Sequence, residues 1–586
     1  MSLLDQASLV LVPSAIKTGE VLVQKPLPTK FSDETGNYDG NDPQGSANLT
    51  FTRNSNATRV NSDGKVERVR TNYAAYSEAF DNAAWIKNAG ATITANTTAN
   101  PLDGELTADT LNIAPNLYCS IYLYTGLSTS NYTNSIYVKA GTLNYFWILI
   151  DGSSGKYVFF NLSNGTVHSQ SSGMVGRISS LSNGWYRCSI TNESLSSNYY
   201  HQFGFSDNTG FTPSVSGTGY IYGAMTEATD FGPTPYIPTT TSARSTFAGI
   251  SVDGTSVPNV PRLDYSGGAT CGKLLLESQR TNVFTFSESF DNTAWAKVSA
   301  TITANTTISP EGYQNAATFT TTGSGARISK SLSLGAGTYT ASLYVKKLSG
   351  SGNMRFFGVV DGGGVTQSFT PTDTWQRFTG NFTASTGITE MQLRENGFTG
   401  TLAIYGFQLE AGSYPTSYIP TYGSSATRTQ DQSVTASPST SLFGQTEGTI
   451  FIEFEVNAIT SGLYSRIMNL KNSGGSNQIY LQQNDSRLNA VVFNGSNQFT
   501  VSSSSGSLVV GQTYKAALAY KNADYAYYIN GIQIGTGSAS GLGTLSVDRI
   551  DYTTGIGNIG LGNKCKQSLV FKTRLPNSDL ATLTSL

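Results

Sequence analysis

The chain has 586 residues, with 36 Lys plus Arg against 38 Asp plus Glu, a net charge of −2 and only 13% charged residues. That length exceeds what one hydrophobic core supports and calls for about three to five domains, while the even, sparse charge excludes a phosphate-tracking basic surface and with it nucleic acid as a partner. The 61 Gly, 32 Tyr and 28 Phe, crowded among Thr, Ser and Asn without long runs of helix formers, are the composition of short strands joined by turns, so the fold class is all-β.

Residues 1–72 hold one apolar stretch, Leu9-Val10-Leu11-Val12-Pro13, and then a polar segment to Gly45. This is too little for a core of its own, and an extended N-terminal arm packed on a neighbouring domain or another subunit is expected. Met1-Ser2-Leu3-Leu4-Asp5 lacks the basic start of a secretory signal, and no apolar run approaches the ~20 residues of a membrane-crossing helix. Synthesis in the cytoplasm without membrane insertion is the expectation.

A passage in the next segment is written twice. Arg70-Thr71-Asn72 and Ser77-Glu78-Ala79-Phe80-Asp81-Asn82-Ala83-Ala84-Trp85 recur as Arg280-Thr281-Asn282 and Ser287-Glu288-Ser289-Phe290-Asp291-Asn292-Thr293-Ala294-Trp295. Further landmarks follow in the same order: Ser135-Ile136-Tyr137-Val138-Lys139 answers to Ser342-Leu343-Tyr344-Val345-Lys346, Trp185-Tyr186-Arg187 to Trp375-Gln376-Arg377, and Tyr236-Ile237-Pro238-Thr239 to Tyr418-Ile419-Pro420-Thr421. A period this long marks a duplicated domain rather than a solenoid unit. The copies span 73–243 and 283–425, and a short strand-like connector, 244–282, lies between them.

A third pattern fills 430–586. Gly448 to Val456 alternates strictly, Tyr525 to Ile534 forms a hairpin across Asn530-Gly531, and Asn577 to Leu583 is compatible with a helix.

Phe51-Thr52-Arg53 with Ala57-Thr58-Arg59-Val60, Pro261-Arg262-Leu263-Asp264-Tyr265, Glu277-Ser278-Gln279-Arg280-Thr281-Asn282 and Tyr418-Ile419-Pro420-Thr421, in this order, resemble a signature of bacteriophage virion proteins, fibre or appendage components that bear carbohydrate-binding-like jelly rolls. The C-terminal part resembles a concanavalin A-like or laminin-G-like sandwich, on Tyr528-Ile529-Asn530-Gly531 and on Leu569-Val570-Phe571 through Leu583. The resemblance implies tandem β-sandwiches, two jelly rolls and one concanavalin-like domain, on an arm that attaches to other virion proteins of capsid, portal or tail. It further implies a homotrimer in the virion, made in the host cytoplasm, that touches host-surface glycans. In the signature the Ala-Thr-Arg-Val and Pro-Arg-Leu-Asp-Tyr segments follow closely. Here the first jelly roll separates them, so residues 1–72 and 244–282 are expected to form one split base.

Catalytic chemistry finds little support. Concanavalin-like polysaccharide hydrolases resemble one another in a strand with two or three acids, and the candidate here is Glu453-Phe454-Glu455, where Asn457 stands in place of a further acid. His168 and His201 come without a Gly-x-Ser-x-Gly elbow. The expectation is a non-enzymatic adhesion protein. A polysaccharide depolymerase and a purely structural decoration protein are the alternatives.

Sugar binding needs flat aromatic faces with amides at their rim. Trp85, Trp295, Trp185 and Trp375 occupy equivalent places and are assigned to cores. Trp147, which shares a strand face with Tyr145, and Tyr525 with Tyr527 on one face of the hairpin are the candidate glycan platforms. No cofactor is expected. Asp151 or Asp361 at strand ends would suit a structural Ca²⁺, although no loop has EF-hand spacing. The cysteines Cys119, Cys188, Cys271 and Cys565 stand far apart and are expected as free thiols.

Overall fold

The computed structural model describes the chain except residues 1–2, 12–48, 53–54, 56, 69, 128–131, 151–155, 193–199, 230, 246–261, 270–271, 361–362, 436–439, 460–463 and 553–560. Cys271, Asp151, Asp361 and most of the arm therefore lie outside the described residues. Cys119, Cys188 and Cys565 are buried and free. The fold is all-β, antiparallel sheets packed as sandwiches, as the composition leads one to expect.

The duplicated passage is a turn that drives a tryptophan into each core. Trp85 and Trp295 are 0% and 1% exposed, and each indole N–H donates to a backbone carbonyl, of Tyr76 at 2.9 Å and of Phe286 at 2.8 Å. The Asn82 and Asn292 side chains accept the N–H two residues on, at 2.9 and 2.8 Å. Lys87 and Lys297 close the same turns, each donating to two carbonyls. Such local side-chain bonds fix a turn that strand propensity alone would not specify.

In the first copy two six-stranded sheets face each other over a core of Leu111, Ile136, Phe146, Ile148, Phe203 and Phe205 among others. One runs Met174–Ser180, Trp185–Asn192, Thr133–Ala140, Gly217–Glu227, Ala108–Ile113, Thr92–Thr98. The other runs Thr166–Gln170, Tyr157–Asn161, Tyr145–Leu149, Tyr200–Ser206, Ser120–Tyr124, Ile86–Asn88. In the second copy the layers are continuous. Gly337–Val360 and Ile388–Ala411, 24 residues each, run side by side from one layer into the other, far beyond the usual ~3–10 residues of a strand. Gly350 faces Gly400 along this path with φ of +89° and +143°. A Cβ on Gly350 would stand 2.0 Å from the Thr399 carbonyl oxygen, so only glycine passes there.

The third sandwich recruits strands from far away in sequence. Leu9–Leu11 and Lys273–Glu277 pair one after the other along one edge of Leu561–Phe571, whose other edge carries Glu447–Glu455. Leu49–Thr52 pairs with Gln432–Thr435 in the opposite sheet. Segments on either side of the first copy also touch directly: the Val60 N–H donates to Asp264 Oδ1 at 3.1 Å, and the Tyr265 N–H to the Val60 carbonyl at 2.9 Å. The Asn530-Gly531 turn has φ of +48° and +80°, the left-handed pair a type I′ hairpin requires. The helix Asn577–Thr584 lays Leu580, 0% exposed, over Ala517, Ala519, Ala526 and Tyr528 on the outer side of the sheet.

Candidate functional site

Most of the expected platforms are inside. Tyr525 and Tyr527 are 0% exposed. Tyr525 stacks on Phe499 at 5.2 Å between centroids, and the Tyr527 hydroxyl donates to the Leu488 carbonyl at 3.4 Å. They share a face, and the second sheet covers it, while the helix covers the face bearing Ala526 and Tyr528. Trp147 does lie on the outer face of its sheet together with half-buried Tyr145, but it is closed over. Phe211 packs against its ring at 4.9 Å and Tyr118 at 5.5 Å. The loop that carries Phe211 is pinned by Asp207, whose carboxylate accepts the Ser214 N–H at 2.7 Å and the Ser214 hydroxyl. Tyr145 meets the exposed His168 edge-on at 5.5 Å.

Glu453 and Glu455 do share a side of their strand, and both are held by cations. Glu455 pairs with Lys273 at 2.5 Å and Lys564 at 3.7 Å. Glu453 accepts from Gln567 Nε2 at 2.7 Å and pairs with Lys566 at 3.7 Å. His201 is buried in the first core against Trp85 and Phe203, its Nδ1 3.3 Å from the Thr226 hydroxyl. Burial lowers its pKa to about 3, so the ring is neutral. Among the described residues no group of three or more His, Cys, Asp or Glu is arranged to hold a metal.

A surface that does present aromatic rings is the far half of the same outer face in the first copy. Tyr122 and Tyr124 on Ser120–Tyr124 stand beside Tyr200, with centroids 5.5 and 5.3 Å from it. Tyr124 is 53% and Tyr118 37% exposed. Gln202 Nε2 donates to the Tyr118 hydroxyl at 3.2 Å and to Ser120 Oγ at 2.9 Å, and Asn88 Nδ2 donates to the same Oγ at 3.2 Å. Rings for the apolar side of a pyranose thus lie next to hydroxyls and amides for its polar rim. The signal for this strip is the alternation Tyr118-x-Ser120-x-Tyr122-x-Tyr124, apart from the platforms expected at Tyr145 with Trp147 and at Tyr525 with Tyr527.

The signature residues do something else. Thr58 Oγ1 donates to the Tyr418 carbonyl at 2.7 Å, and Arg262 donates to the Thr58 carbonyl at 2.8 Å while pairing with Glu277 at 2.8 Å and with Asp431. Glu277 also accepts from Arg428 and from the Ser417 N–H and hydroxyl, at 2.8 and 2.6 Å. Burial alone would raise the Glu277 carboxyl. Arg428 and Arg262, with Ser417, outweigh it and hold the group well below the usual carboxylate range. A second knot lies beside it, where Arg68 meets Glu311 at 2.6 Å, Glu288 at 3.1 Å and the Tyr405 hydroxyl at 3.2 Å. These buried ions join the arm, the second copy and the third sandwich, and are spent on assembly.

No family model matches the chain, and no curated protein matches it. Solved structures similar in fold include the CBM40 domain of the Ruminococcus gnavus IT-sialidase bound to α2,3-sialyllactose, 16% identical over 24% of this chain and 84% of that one with a TM-score of 0.21. Domain 4 of AbnA, a GH43 extracellular arabinanase from Geobacillus stearothermophilus in complex with arabinotriose, is 14% identical over 27% of this chain and 73% of that one, with a TM-score of 0.22. The heptameric SAP-like pentraxin of Limulus polyphemus is 19% identical over 24% and 70%, with a TM-score of 0.19.

Proposed function

We propose that this chain is a non-enzymatic structural protein of a bacteriophage virion, an appendage whose β-sandwich modules adhere to host-surface glycans. The observation that carries the proposal is the strip of exposed Tyr118 and Tyr124 with half-buried Tyr122 and Tyr200, and with Gln202 and Asn88 at its rim. The ordered signature supports the virion origin, and its residues serve to join the arm to the sandwiches. In this scheme the arm docks on other virion proteins and the chain assembles as a trimer. Each module binds weakly, and repeated copies supply avidity, because a second contact on a linked array is intramolecular.

The test is a glycan array probed with the intact chain and with its Tyr124→Ala/Tyr200→Ala variant. Selective binding that the double variant loses supports adhesion. Absence of binding at high valency, or release of reducing ends from host polysaccharide that Glu453→Gln abolishes, refutes it.

A further inference from the structure

We infer that the corresponding outer face of the second copy is an anion site, a row of three arginines that binds a saccharide carrying carboxylate or phosphate groups. Strand register places Arg327 directly opposite Arg394, and Arg394 directly opposite Arg355, on three neighbouring strands. Paired residues on adjacent strands project to the same face, so the three side chains stand abreast. The Arg355 and Arg394 guanidiniums both lie over the ring of Phe357, at 5.6 and 5.7 Å from its centroid. All three arginines are half-buried.

Like charges directly opposite one another on a sheet are destabilising, and several of this chain's other arginines are balanced by a direct ion pair. Arg59, Arg68, Arg70, Arg262, Arg280, Arg428, Arg549 and Arg574 each pair with an acid. Among the described residues no Asp or Glu forms an ion pair with Arg327, Arg355 or Arg394. Glu395, the neighbouring acid, has its carboxylate turned onto the backbone N–H groups of Gly325 and Gly397, at 2.8 and 2.6 Å. These N–H bonds, more than the arginines, lower its pKa. The row therefore has no acid in direct contact, and Glu395 offsets Arg355 and Arg394 only through space.

The first copy shows what the duplication changed. Ala296 faces Ser329 as Ile86 faces Tyr122, each one residue after its tryptophan, so Arg327 holds the position of Ser120. Trp147 faces Gly204 where Arg355 faces Arg394. The Trp147 ring lies against Gly204, where an added Cβ would meet it at 2.7 Å. One scaffold thus carries a closed aromatic patch in one copy and an open cationic row in the other.

Guanidinium forks grip carboxylate and phosphate oxygens with paired N–H bonds. At the ~4.8 Å spacing of strands three of them span roughly 10 Å, enough for more than one anionic group. The saccharide part of the ligand rests on the adhesion proposal. The anion part rests on the arginine geometry alone.

The test uses the intact chain and three immobilised polymers: polygalacturonate for carboxylate, phosphorylated mannan for phosphate, and neutral dextran. At least one acidic polymer should bind more tightly than dextran, weakening with salt, and Arg355→Gln/Arg394→Gln should lose about tenfold or more in affinity. Arg487→Gln, an exposed arginine on the third sandwich, should bind as the parent does, and Arg355→Lys/Arg394→Lys should recover only part, because an ammonium is a point charge without a fork. The polymer that wins distinguishes carboxylate from phosphate. Since relief of like charge should leave the double Gln variant at least as stable as the parent, a fall in its unfolding midpoint would overturn the inference. So would acidic polymers binding no better than dextran, or Arg487→Gln losing as much affinity as the double variant. Acid-polymer binding without glycan-array binding would leave the anion site standing and reject adhesion; the converse would do the reverse.

Discussion

Glu277→Gln is the sharpest perturbation of the joint between the second copy and the third sandwich. Glu277 is 3% exposed and stands at the end of the strand Lys273–Glu277, and it is held by Arg262 and Arg428, themselves 2% and 0% exposed. The substitution keeps the shape and one acceptor but removes the charge that both guanidiniums share. Asp431 remains for Arg262, whereas Arg428 is left with the Ser278 carbonyl and the Ser417 hydroxyl. Breaking a buried pair from one side costs about 3–5 kcal/mol. At roughly 2–4 °C per kcal/mol for a domain of this size, calorimetry should show the transition of the third sandwich falling by roughly 6–20 °C. The loss should also depend on pH. The folded pKa of Glu277 lies below the unfolded value of about 4.5, so the unfolded chain binds the extra proton and the pair's stabilisation is full above that value and lost as pH falls through the acid range. Parent and variant should converge in acid. Midpoints within about 1 °C at pH 7, or a gap that widens on acidification, would refute the role given to this ion cluster.

Three further outcomes are expected. Trp147→Ala should destabilise the first copy by about 3–5 kcal/mol in denaturant unfolding, as emptying a packed aromatic site does; a neutral result would mean the ring is not the sealed patch described. His201, neutral when folded with a pKa of about 3, should make the first copy lose stability as pH falls below about 6.5, because the unfolded chain takes up the proton first. His201→Phe should flatten that slope in a pH series of melts. Removing residues 1–11 strips the Leu9–Leu11 strand, including the Leu9 side chain at 2% exposure, from Leu561–Phe571. Amide exchange at residues 568–570 should accelerate, and unchanged protection would show that the pairing contributes nothing.

The all-β class was legible because turn-forming and β-branched residues saturate the chain, and the duplication because the Asp-Asn-x-x-Trp turn leaves so little freedom to drift. The Asn530-Gly531 hairpin announced itself by a residue pair that favours the positive φ angles of its turn. Alternation correctly said that Tyr525 and Tyr527 share a face, and likewise Tyr145 and Trp147. It could not say what lies over that face, because the cover comes from a distant sheet in one case and from Phe211 in the other. The third sandwich was similarly half visible. Ser8 bonds Val570 across 562 residues, a pairing that no local pattern encodes. Arg327, Arg355 and Arg394 look unremarkable apart and become a row only through register.

The most direct measurement is retention of the intact chain on host-surface polysaccharide, followed by sizing of that polysaccharide after incubation. The proposed function predicts saturable retention, reduced by Tyr124→Ala/Tyr200→Ala, with the polymer's length unchanged. Shortened polymer, or no retention at any valency, would contradict it.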